Sequence, residues 1–80
     1  MQAEEVKALL EEHIPGAEIS VAGEGCDFRM TIISEQFQGL LPVKRQQLVY
    51  AHLNPMIASG EIHAVTMVTL TPAEQASGQN

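Results

Sequence analysis

The 80-residue sequence predicts an α+β fold in two layers, and three observations carry that prediction. A helical apolar stripe opens the chain, and two alternating runs joined by a glycine-rich segment follow it. A helix-bearing stretch then leads into a last run rich in Val and Thr. Strand, helix and strand in that order favour a parallel, right-handed crossover, whereas the two joined runs favour an antiparallel hairpin. A three-stranded mixed sheet with helices on one face is the economical way to bury these apolar sides.

Residues 3–13 place Val6, Leu9 and Leu10, with Ile14 just beyond, on one helical stripe. Glu4 and Glu5 sit in the first turn, where carboxylates suit the positive end of the helix dipole. Pro15 and Gly16 then stop the helix. From residue 17 the period changes to two: Ala17, Ile19 and Val21 share one face, and Glu18 and Ser20 the other. The segment GEGCD at 23–27 allows a sharp turn. Residues 28–33 alternate again, Phe28, Met30 and Ile32 against Arg29, Thr31 and Ile33.

Residues 34–41 read as a loop feeding a helix that starts at Pro42, where the missing N–H costs nothing. On this helix Val43, Val49, Tyr50 and Leu53 are expected to pack, with Lys44, Arg45 and His52 facing outward. Asn54 and Pro55 are expected to interrupt it, leaving a short second helix over 55–59 that ends at Gly60. Residues 62–70 form the third strand. The order is therefore α-β-β-α-α-β. One domain is expected over residues 1–74, with a flexible polar tail over 75–80 that frays.

Composition narrows the function. With 4 basic and 10 acidic residues the net charge is −6, which opposes nonspecific attachment to nucleic acid or anionic membrane. No charged-then-apolar leader opens the chain and no apolar run approaches membrane-spanning length, so a cytoplasmic protein without membrane attachment is expected. The single Cys26 excludes an internal disulfide and an all-cysteine metal site built from one chain. No phosphate loop, nucleophile elbow or zinc-protease spacing is present, so no enzyme is expected. Glu4, Glu5, Glu11 and Glu12 read as a solvated helix face.

The side chains with thiol or imidazole donor atoms are Cys26, His13, His52 and His63. Cys26 sits in a glycine-rich loop, where a thiol is accessible, although free cysteines are more often small packing residues. His63 stands at the start of the third strand, where a ring nitrogen can face solvent, although a lone histidine there is more often structural. His13, at the end of the first helix, needs no functional role. Lys44, Arg45, Tyr50 and His52 are the candidate contact residues for a partner or a nucleic acid.

The loop-helix FQGLLPVKRQQLVYAHL, the strand start GEIHAV and the strand end LTPAE, in this order and spacing, resemble the BolA family, and VKRQQLVY resembles its IbaG-like branch. The resemblance covers the chain from the first helix to Glu74 and implies a fold similar to the type II KH domain. It also implies two activities. The first is partnership with a monothiol glutaredoxin, sharing or receiving a [2Fe-2S] cluster, with His63 and Cys26 as ligands from this chain. Imidazole can replace thiolate at such a cluster, and two donors fall two short of closure, so glutaredoxin and glutathione would complete it. The second is DNA binding through the helix-turn-helix-like segment at Lys44 and Arg45. Two cations on an acidic chain predict weak, salt-sensitive affinity. The chain departs from the family pattern in having Gln46 and Gln47 on that helix and no Trp after Thr-Pro-x-Glu. Its inter-helix turn, Leu53-Asn54-Pro55-Met56, lacks the Gly-x-x-Gly clamp for single strands. Alone, the protein is expected to be a monomer or a weak homodimer.

Overall fold

The structure, a computed structural model, describes residues 1–78. Helix α1 spans Ala3–His13, strand β1 Glu18–Glu24, strand β2 Asp27–Ile33, a 3-10 turn Glu35–Phe37, helix α2 Pro42–Ser59, strand β3 Ala64–Leu70 and helix α3 Pro72–Ala76. The sheet order is β1-β2-β3, with β1 antiparallel to β2 and β2 parallel to β3. Hairpin and parallel crossover are thus both as expected.

The period-two pattern sets the register. Ile19 pairs with Ile32, Val21 with Met30, Phe28 with Val65 and Met30 with Met67, which puts the apolar residues of all three strands on one face. Helices α1 and α2 cover that face. Val6, Leu10 and Ile14 from the α1 end, Val49 and Leu53 from α2, and Phe37 and Ile62 from the connections close the core. The opposite face carries Ser20, Arg29, Thr31, Thr66 and Val68.

The glycine-rich connection is shorter than its composition suggests. Glu24 pairs with Asp27, so only Gly25 and Cys26 make the turn. Gly25 takes a φ of +69°, at the first of the two turn positions where a tight hairpin favours glycine. Gly23, inside β1, has a φ of +122°, and a Cβ there would run into the backbone oxygen of Asp27.

Helix α2 corrects two expectations. Asn54 and Pro55 do not end it: the helix continues unbroken to Ser59 and closes on Gly60, whose φ is +84°. Proline removes the bond to the carbonyl of residue 51, but Ala51 and Pro55 are both exposed, so water can take that carbonyl. The packed arc is also rotated. Arg45, Val49 and Leu53, four residues apart, are the buried ones, whereas Val43 is 54% exposed.

At the C-terminal end, Thr71 Oγ1 accepts from the Glu74 N–H and the Glu74 carboxylate accepts from the Thr71 N–H. This reciprocal cap starts α3, which runs two residues past Glu74 into the stretch expected to be tail. Gln79 and Asn80, the end of that tail, lie outside the described residues.

Candidate functional site

The end of the sheet where β2 and β3 begin brings the two candidate ligands together. Parallel pairing sets Ala64 opposite Asp27. One residue earlier on each strand, the Cys26 carbonyl accepts the His63 N–H at 2.7 Å and the Ala64 N–H at 3.2 Å. His63 therefore precedes β3 rather than starting it. Its backbone position is fixed by the hairpin turn, and buried Ile62, whose N–H donates to Met56 at 3.1 Å, anchors the other side.

The side chains point into solvent. The His63 side chain is 84% exposed and that of Asp27 75% exposed. Cys26 is exposed, and its Sγ lies 3.7 Å from the Gly60 carbonyl, a weak thiol contact. Asp27 Oδ1 stands 3.6 Å from His63 Nδ1. On the other side of the turn a shallow groove is lined by Gly23, Glu24, Asp27, Phe28, Arg29, Ala64 and Thr66.

Among the described residues no three His, Cys, Asp or Glu side chains are grouped to hold an ion. Cys26 and His63, paired through their backbones, are two exposed residues able to donate to a metal. Asp27 is legible in the sequence as the acidic neighbour of Cys26, whereas its approach to His63 depends on the pairing of β2 with β3.

The contact residues expected on α2 fall elsewhere and do not form one surface. Arg45 is a correction: it does not face outward but is 8% exposed. Its Nη1 and Nη2 reach Glu74 Oε1 and Oε2 at 2.6 and 3.1 Å, its Nε donates to the Leu40 carbonyl at 2.9 Å, and Nη1 also donates to the Thr69 carbonyl at 3.3 Å. The Arg45 guanidinium and the Thr71 N–H together hold the Glu74 carboxyl well below the usual range, at about 2. Hydrogen bonding to Glu74 raises the Arg45 pKa in turn, against the opposing effect of its burial.

Lys44 is exposed beside Leu41 and Val43, themselves 69% and 54% exposed. Tyr50 is half-buried. His52 is half-buried against His13, with ring centroids 4.7 Å apart and planes inclined by 35°, so it joins α2 to α1 instead of facing outward. Because Arg45 touches Thr69 near the end of β3 while His63 precedes its beginning, the start of α2 and the Cys26–His63 group lie at opposite ends of that strand.

Comparison with known proteins places this architecture. The chain is 46% identical over 74 residues to an uncharacterised protein from the rpoN-murA intergenic region of Acinetobacter guillouiae, covering 92% of this chain and 89% of that one. It is 38% identical over 76 residues to the acid stress protein IbaG of Escherichia coli, covering 95% and 90%. Among solved structures, a BolA protein homologue from Coxiella burnetii superposes with a TM-score of 0.84 at 27% identity, covering 95% of this chain and 97% of that chain. The family described as BolA-like protein matches residues 3–74, which takes in the hairpin turn, the His63 segment and the Arg45–Glu74 pair together, and the chain therefore belongs to the BolA family.

Proposed function

We propose that this protein is a non-enzymatic adaptor that binds a monothiol glutaredoxin and shares or receives a [2Fe-2S] cluster, in iron-sulfur trafficking or iron sensing. The observation that carries the reading is the backbone pairing of Cys26 with His63, which brings two residues with exposed donor side chains to the same end of the sheet. In this reading Cys26 Sγ and His63 Nε2 are the two donors from this chain. A glutaredoxin cysteine and a glutathione thiolate are the other two. Asp27, whose Oδ1 lies 3.6 Å from His63 Nδ1, places a carboxylate beside that ring. The protein works in the cytoplasm, as a monomer or weak homodimer when alone. The order helix, two strands, helix, strand supports the likeness to the type II KH domain.

The nucleic-acid reading has less support. Arg45 is engaged by Glu74, which leaves Lys44 as the exposed cation on α2, and one cation supplies little of the counterion release that drives such binding.

The test is anaerobic cluster reconstitution with a monothiol glutaredoxin and glutathione, followed by visible absorption and circular dichroism. The wild-type protein is expected to change the glutaredoxin cluster spectrum and His63→Ala to leave it unchanged, with Cys26→Ser reporting on the second ligand. An unchanged spectrum with the wild type, or one altered equally by His63→Ala, would overturn the assignment.

A further inference from the structure

The pair of histidines between the two longer helices has chemistry that the adaptor reading does not use. Helix α1 ends on His13 and α2 carries His52, and the two rings stand with centroids 4.7 Å apart and planes inclined by 35°. Two imidazoles bound through nitrogen to one ion at about 2.0–2.1 Å, with an angle of about 90–110° between them, have ring centroids roughly 4.5–5.2 Å apart. The pair thus already stands at a chelating distance. His13 is also set in one tautomer. A carbonyl can only accept, so in the neutral ring the 2.9 Å contact between His13 Nδ1 and the Leu9 carbonyl puts the proton on Nδ1 and the lone pair on Nε2. Metal-bound histidines are commonly held in this way, with the second ring nitrogen donating to a backbone carbonyl. We propose that His13, through Nε2, and His52 chelate one borderline divalent ion, of the class of Zn2+ and Cu2+, and so join α1 to α2.

The surroundings suit a cation. His13 is the last residue of α1, where the unpaired carbonyls form the negative end of the helix dipole. Glu11 and Glu12, both exposed, precede it, whereas α2 has no acidic residue and its cations, Lys44 and Arg45, lie in its first turn. The donors select the ion. Neutral imidazoles suit zinc and copper, while magnesium and calcium demand oxygen ligands. Water takes the remaining positions, because no third His, Cys, Asp or Glu is grouped with the pair among the described residues. His13 is exposed and His52 half-buried, so an ion can reach them from solvent. Thirty-nine positions separate the two residues in sequence, and only the folded chain brings their rings together. The ion therefore binds the folded state in preference and raises its stability.

The site shares no residue with the Cys26–His63 end of the sheet, so its failure and that of the adaptor reading are separable. The experiment uses the full-length chain carrying Cys26→Ser and His63→Ala, which removes the other thiol and imidazole donors. Zinc is titrated while long-range proton–nitrogen correlation spectra follow the ring nitrogens, and melting temperature is read with zinc and with magnesium. One zinc per chain, a shift of the His13 Nε2 resonance together with a nitrogen of His52 at the same stoichiometry, and a rise in melting temperature given by zinc but not by magnesium are the expected result. His13→Gln and His52→Gln should each weaken zinc binding by about 10²-fold, the lower end of the gain from presenting two donors together. His13 is exposed, so His13→Gln should keep the far-UV spectrum of its parent, which separates a lost ligand from a lost fold. A chain that binds no zinc, zinc that shifts one imidazole alone, a stabilisation matched by magnesium, or binding unchanged in His13→Gln would overturn the proposal.

Discussion

Arg45 and Glu74 form a two-point ion pair across the molecule, joining the first turn of α2 to the helix that ends the described chain. Arg45 also satisfies the Leu40 and Thr69 carbonyls, so one side chain ties a loop, a strand end and a terminal helix together. Arg45→Ala should cost about 2 kcal/mol, the scale of a charge-assisted hydrogen bond left unmade. In a domain of this size that is roughly a 10 °C fall in melting temperature. Calorimetry against the wild type checks it, and a change within error would mean that solvent replaces the pair at no cost.

The same pair predicts how stability follows pH. The Glu74 carboxyl is lowered from 4.5 to about 2. A depressed carboxylate stabilises the fold above its unfolded pKa, and that contribution disappears as pH falls through the folded value. The advantage of wild type over Glu74→Gln in melting temperature should therefore be full above about pH 5 and shrink towards zero near pH 2. A constant gap across that range would show that the carboxylate charge is not what Arg45 holds.

Gly23→Ala should destabilise the hairpin by about 1–3 kcal/mol, since it combines positive φ with a clash against the Asp27 backbone. Because the clash sits beside the turn that presents Cys26, amide exchange at residues 24–28 should accelerate more than in α1. Equal acceleration in both would mean that the strain spreads over the whole domain.

Pro55→Ala should raise the melting temperature. The substitution restores the backbone bond to Ala51 inside a continuous helix and removes the ring from its interior. The gain should be less than the ~3 kcal/mol usually lost to an interior proline, because proline also stiffens the unfolded chain. A lower melting temperature would show that the Pro55 ring makes a packing contribution that outweighs the bond.

Cys26→Ser and His63→Ala should each leave stability within about 0.5 kcal/mol of wild type, as expected for exposed side chains whose fixed partners are backbone atoms. Urea midpoints measure this. A large loss in either variant would assign the residue to the fold and weaken its reading as a ligand.

Local patterns were legible in the sequence, and relations between distant residues were not. The stripe of Val6, Leu10 and Ile14 and the alternation through Ile19, Met30 and Ile32 report burial directly, because each face is set within a few residues. Arg45 defeated that logic. A cation reads as outward-facing unless its counter-charge is visible, and Glu74 lies in another helix twenty-nine positions on. Pro55 misled for a related reason, since whether a freed carbonyl ends a helix depends on whether water reaches it. Residues 26 and 63 could be named from the family resemblance, but their contact is a property of the parallel register, which no local signal states.

That contact has a consequence for affinity. Residues 26 and 63 lie thirty-seven positions apart, and drawing together the ends of a free segment that long costs about 3 kcal/mol of chain entropy. The two hydrogen bonds to the Cys26 carbonyl mean that folding has already met this cost before any ligand arrives. Whatever bridges the thiol and the imidazole has only side-chain rotamers left to order, so its binding strength should track donor chemistry at these two positions rather than the flexibility of the chain between them.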